Sequence, residues 1–132
     1  MIKAISKGVG DKLAGTAAIT SVVSTRIYFG QAPLEAALPY IAFDINAGGS
    51  TNRSPRDELD VVLAVKCVAR TGAQAAQVAD LIRGALHNAD LTLESPWNAY
   101  RCQHQNPLSY VENTERGQYH HTGGTFRVRA AQ

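Results

Sequence analysis

The adjacent imidazoles His120-His121, together with His104, Cys102 and Cys67, are the side chains best suited by type to hold a metal ion. A tetrahedral zinc site needs such ligands converging on one point. Neighbouring residues on a strand face opposite ways, so His120 and His121 diverge, and the other three can join either only by tertiary placement. No metal is expected. Gly8-Val9-Gly10, ahead of Asp11-Lys12, has the glycines of a phosphate-binding turn but neither the preceding strand nor the spacing of a nucleotide loop. Gly48-Gly49-Ser50-Thr51 fails in the same way, with no helix start after it. No serine stands in a Gly-x-Ser-x-Gly elbow. Asp57 and Glu58 read as solvated loop charges, and Asn52-Arg53-Ser54 fits a glycosylation acceptor that a cytoplasmic product does not use. No catalytic residue and no cofactor is expected.

Composition points the same way. At 132 residues the chain has room for one core, and 45% hydrophobic residues argue against disorder. Charged residues make up 18%, below the usual globular share of about 25%, as expected where surface is destined for contact with neighbours. A net charge of +2 decides nothing about nucleic acid, although a dedicated binder concentrates far more Lys and Arg on one face. Arg53 and Arg56 lie in a polar stretch, and Arg127 and Arg129 on one strand face. Met1 to Gly8 lacks the apolar core of a signal peptide, and no run approaches the roughly 20 apolar residues of a membrane span. A cytoplasmic product with no membrane partner is expected. Cys67, inside an apolar strand, suits a buried small hydrophobe. Its pairing with Cys102 is left open.

The elements that must position these residues follow from periodicity. Ile2, Ile5, Val9 and Leu13 recur at helical spacing, Gly15 offers a stop, and Thr16 to Val23 suits a second short helix. Arg26-Ile27-Tyr28 is a short strand. Pro33 and Pro39 then bias their predecessors toward extended geometry, and Tyr40 to Ile45 alternates as a second strand. Residues 46–57 carry no large apolar side chain and are rich in turn formers, which predicts a long loop or arm. Glu58 to Arg70 is apolar on both faces in its first half, which predicts a central strand with something covering each side. Val78, Leu81, Ile82, Ala85 and Leu86 line a helix over Ala73 to Leu86. Ala99 to His104, Ser109 to Asn113 and Gln118 to Ala130 read as strands parted at Asn106-Pro107 and Glu115-Arg116-Gly117. Gly123-Gly124 predicts a bulge or bend in the last of them. The expectation is a single α+β domain, with a mainly antiparallel sheet and helices packed on one face.

This ordered set resembles the tail-completion or tail-terminator proteins of long-tailed bacteriophages and gene transfer agents. It comprises the helical N-terminus ending near Thr25, Arg26-Ile27-Tyr28, Ala32-Pro33, Pro39-Tyr40-Ile41, the polar loop, the strand Leu59 to Val68 and the helix Ala73 to Leu86. The resemblance returns at Tyr119 to Val128, while Ser95 to Gly117 carries little of it. It implies a structural protein forming a homo-oligomeric ring, a hexamer, that caps the tail tube, stops its polymerisation and meets the head connector. The ring would lie at the head-proximal end of the tail, with DNA passing through its channel without specific binding. On that reading Asn52, Arg53 and Arg56 make contacts with the tube or a neighbouring subunit. Tyr28 and Tyr40 stand at the sheet's edge, partly at an interface. A neck adaptor is the alternative within the same class. A small enzyme or ligand-binding domain is the alternative outside it, and it requires a concave pocket with convergent polar groups.

Overall fold

The computed structural model describes residues 1–52, 54 and 56–132; Arg53 and Pro55 lie outside the described residues. The described elements are, in chain order, α1 (Ile2–Ala14), α2 (Ala17–Val23), β1 (Ile27–Phe29), β2 (Tyr40–Ser50), β3 (Glu58–Ala69), α3 (Gly72–Leu86), β4 (Asn98–Thr114) and β5 (Gly117–Ala131). The strands form one sheet in the order β1-β2-β3-β5-β4. β1 runs parallel to β2, and every other pairing is antiparallel. The fold is α+β, as the patterning implies.

Each helix carries one apolar stripe. Ile5, Val9 and Leu13 of α1, Ile19 and Val23 of α2, and Ala75, Val78, Ile82 and Leu86 of α3 are buried in a single cluster. α3 starts where the Thr71 hydroxyl accepts the Gln74 N–H at 3.2 Å, which satisfies one of the helix's orphan donors. The sheet contributes Ile41 and Phe43, the alternating set Leu59, Val61, Leu63, Val65 and Cys67, and Phe126, Val128 and Ala130 to the same cluster. β3 is therefore central, as its apolar run suggests. The second face is covered only at one end, where Ala42, Val68 and His121 are buried; Asp60, Val62, Ala64 and Lys66 remain half-exposed. Small or amphipathic side chains on that face need no second layer of helices.

Three expectations change. The loop predicted over 46–57 is shorter, because β2 continues to Ser50 and pairs through Ala47–Val62, Gly48–Val61, Gly49–Asp60 and Ser50–Leu59 after a register shift at Ile45/Ala47. Gly48 makes this possible: at φ +98° its backbone passes so close to β3 that a Cβ would lie 2.0 Å from the Asp60 carbonyl oxygen. Asn106-Pro107 does not break the chain, since β4 runs unbroken from Asn98 to Thr114. Pro107 is tolerated because β4 is an edge strand, where a missing N–H need not cost a ladder bond. The bulge expected at Gly123-Gly124 is absent from the β3–β5 register, and the irregularities fall on β4, at Ala99/Arg101 and His104/Asn106. Cys67 and Cys102 are both free and buried, on strands separated by β5. Burial pushes their thiols up to about 12 and about 11.

Two glycines respond oppositely to alanine. Gly48→Ala forces a side chain into the β3 backbone and lowers unfolding free energy by about 1–3 kcal/mol. Gly84 is helical with nothing within 4 Å of a new Cβ, so Gly84→Ala raises stability by about 0.5–1 kcal/mol. Urea denaturation of the three proteins checks both signs.

Candidate assembly surfaces

The more open sheet face carries an aromatic and charged network that spans β3, β5 and β4. Gly123 on β5 stands between Lys66 on β3 and Leu108 on β4. A Cβ at Gly123 would lie 2.0 Å from the Val65 carbonyl oxygen, and across this glycine the Lys66 ammonium donates to the Tyr110 hydroxyl at 2.7 Å, lying 5.3 Å from the ring centre. His121 stacks on the same ring at 4.4 Å and 10°. Its Nε2 lies 3.2 Å from Glu112 Oε1, while its Nδ1 is buried and has no partner. Burial lowers the His121 pKa and the Lys66 charge adds to this, against an opposing pull from Glu112.

Tyr28 and Tyr40 belong to this end of the face. Their rings meet edge to face at 5.7 Å, and burial, reinforced by the Glu112 charge, raises the Tyr40 pKa. Arg26 fastens the entry to β2 through Nε donating to the Pro39 carbonyl at 2.9 Å. The other end of the sheet is ionic. Asp60 accepts from Arg127 at both oxygens, at 2.7 and 2.5 Å, and lies 3.7 Å from Arg129 Nε. The Arg127 bonds hold the Asp60 carboxyl below its usual range. Arg127 is thus committed to an internal partner.

Asn52 and Arg56 are exposed in the turn that joins β2 to β3, where the Asn52 N–H donates to Ser50 Oγ at 2.9 Å. Ser50 Oγ in turn donates to the Asp57 carboxylate. The structure pairs Tyr28 with Tyr40 but does not bring them to Asn52 and Arg56. Tyr40 begins β2 and the turn follows its end, about 33 Å away at the rise of a strand.

Sequence patterning read the two halves of β4 as separate strands and missed that they form one long edge. Its first half is covered: the Asn88 N–H donates to the Cys102 carbonyl at 2.7 Å, and the His104 N–H to His87 Nδ1 at 3.1 Å. Past the irregularity at His104/Asn106, strand alternation turns the backbone of Ser109, Val111 and Asn113 outward, away from β5. No further strand lies beside them in the sheet. The break read at Asn106-Pro107 hid the continuity of the strand. Exposed large apolar side chains gather at both borders of the sheet, with Phe29 on the β1 side and Tyr100, Tyr110 and Val111 on the β4 side. A groove of about 440 Å³ lies between Pro33-Leu34 and the β4–β5 hairpin, where Arg116 donates to the Leu34 carbonyl at 3.0 Å. Among the described residues no cluster of His, Cys, Asp or Glu is placed to hold a metal ion.

Fold and surfaces together define a small sheet-and-helix protein with one more open sheet face and two unlike borders. The chain matches the family described as tail completion protein gp17 over residues 7–131, and it belongs to that family. The family is one of structural proteins that complete phage tails. Among solved structures the chain is similar to a chain from the virion of a native gene transfer agent particle, with a TM-score of 0.76 and 18% sequence identity over 98% of this chain and 96% of that one. That likeness shows the fold. No curated protein sequence matches the chain.

His121 makes stability depend on pH. Its folded pKa lies below the ordinary imidazole value near 6.5, so the unfolded chain binds more protons in acid. Stability is full above about pH 6.5 and falls as pH drops from there toward the folded pKa. His104, also lowered by burial, adds to the same limb. His121→Phe keeps a ring against Tyr110 and removes the titration, so the fall in melting temperature between pH 7.5 and pH 5 becomes smaller than in the unaltered protein.

Proposed function

We propose that this protein is a tail terminator, a subunit that closes into a ring, hexameric by the family resemblance, on the end of the tail tube. The ring halts polymerisation because its far side does not reproduce the tube's growing edge, and it offers that side to the head connector. The observation that carries this reading is the pair of unlike sheet borders in a member of a tail-completion family: three residues of β1 on one side and the long β4 on the other. Unlike surfaces meet only heterologously, and a heterologous contact whose rotation closes makes a ring. The fold shared with a chain of a gene transfer agent virion supports a place in the virion, and the family resemblance puts that place at the head-proximal end of the tail.

In this reading Asn52, Arg53 and Arg56 contact the tail tube, and Tyr28 and Tyr40 lie near an interface between subunits. DNA passes through the channel without specific binding, consistent with Arg127 being held by Asp60 rather than free for phosphates. The subunit acts by shape and needs no cofactor.

Electron microscopy of tails assembled without this protein is expected to show tubes of uncontrolled length. Tubes of normal length, with filled heads lacking tails, would move the protein to the head side of the neck. Arg56→Glu is expected to leave a folded protein that caps poorly and yields overlong tubes. Normal tube lengths from that variant would exclude Arg56 from the contact.

A further inference from the structure

We infer that neighbouring subunits join by adding β1 of one copy to the uncovered half of β4 of the next, so that the sheet continues from subunit to subunit. The inference rests on the ring reading and names the surfaces that make the ring.

Strand direction is the first argument. β1 is parallel to β2, β2 is antiparallel to β3, β3 to β5, and β5 to β4. The two border strands therefore run in opposite directions. When a second copy is placed beside the first by rotation, without being turned over, its β1 meets β4 antiparallel. That is the pairing with the better hydrogen-bond geometry.

The second argument is which backbone groups are free. On β1, the Arg26 carbonyl accepts from the Ile41 N–H and the Gly30 N–H donates to the Phe43 carbonyl, so even-numbered residues address β2 and Phe29 turns outward. On β4, the outward set is Ser109, Val111 and Asn113, since the fold itself covers Cys102 and His104. Exposed long edges are templates for another strand, and proteins ordinarily guard them with charge, cover or bulges. Here guarding stops where Pro107 ends.

The third argument is apolar placement. Phe29 is 45% exposed and packs on Phe43 on the helix side of the sheet. Val111 is 49% exposed and pairs across β5 to His120, which lies against Gly72 of α3, also on the helix side. The two residues share a face as well as an outward backbone, so one contact covers both.

Disulfide trapping tests this. Phe29→Cys protein is mixed with Ser109→Cys, Val111→Cys or Asn113→Cys protein, covering the registers two residues apart, and is oxidised alone and on tail tubes. The native thiols are buried and serve as the unaltered control. One mixture is expected to give a covalent dimer at least about tenfold more abundant than a Gln77→Cys partner gives, because docked residues meet at a high effective concentration. The matching double variant should give a ladder that ends at the closed ring. Val111→Pro, which removes an outward N–H without touching the β5 ladder, should stay folded by circular dichroism and lose the ladder. Cross-linking of Val111→Cys to itself alone would mean symmetric β4 pairing and overturn the inference. Rings seen by light scattering or on tubes with no cross-link in any register would also overturn it, leaving the ring reading intact. Absence of both rings and capping would remove the two together.

Discussion

A sheet that does not close on itself leaves a row of amides and carbonyls at each border, and most irregular features of this fold concern those rows. β1 is cut to three residues before Gly30 turns away at φ +83°. β4 carries two register shifts and a proline, and the segment after α3 folds back to satisfy Cys102 and His104. Such devices shorten an edge, twist it or cover it. The interior needs little of this, because β2, β3 and β5 have partners on both sides and their apolar residues alternate into one core.

The same distinction explains what could be read from the chain. Helices announce themselves through a stripe: Val78, Ile82 and Leu86 are buried at the spacing their types suggest. β3 was legible because it is long and apolar. The misreadings fall where a glycine or proline has a meaning set by its neighbours in space. Gly48-Gly49 looks like a loop until Asp60 is seen against it, and Pro107 looks like a break until β4 is seen to be a border. Gly123 looks like a bulge, yet it marks a close approach to β3, where a Cβ would lie 2.0 Å from the Val65 carbonyl oxygen. Local sequence shows that a residue is special but not which strand makes it so. The site was harder still, since Tyr28 meets Tyr40 only through the parallel pairing of β1 with β2.

The more open face shows how a sheet does without a second layer. Its middle is held by stacked and hydrogen-bonded side chains: Tyr110 between Lys66 and His121, and Arg127 on Asp60. Aromatic pairs and cation–ring contacts each contribute about 0.5–1.5 kcal/mol beyond area burial, enough to fix side chains without hiding them from solvent. Such a face is ordered before any partner arrives. A partner that met it would find a surface already arranged.

Edge length bears on when a ring would form. The outward groups of β1 are few: the Ile27 N–H is already bonded to the Thr25 carbonyl, leaving the Ile27 carbonyl and the two backbone groups of Phe29. Three hydrogen bonds at about 0.5–1.5 kcal/mol each come to roughly 1.5–4.5 kcal/mol before the loss of rotational and translational freedom, and about 4 kcal/mol corresponds to millimolar affinity. Contacts that weak leave subunits apart in solution. In the proposed ring on a tube end, each subunit would be held by the tube as well as by two neighbours, and the weak contacts would multiply into tight capping. A stronger edge would close rings, or grow open fibres, before any tube was complete. In the proposed ring, the short β1 would make closure depend on the presence of a tube.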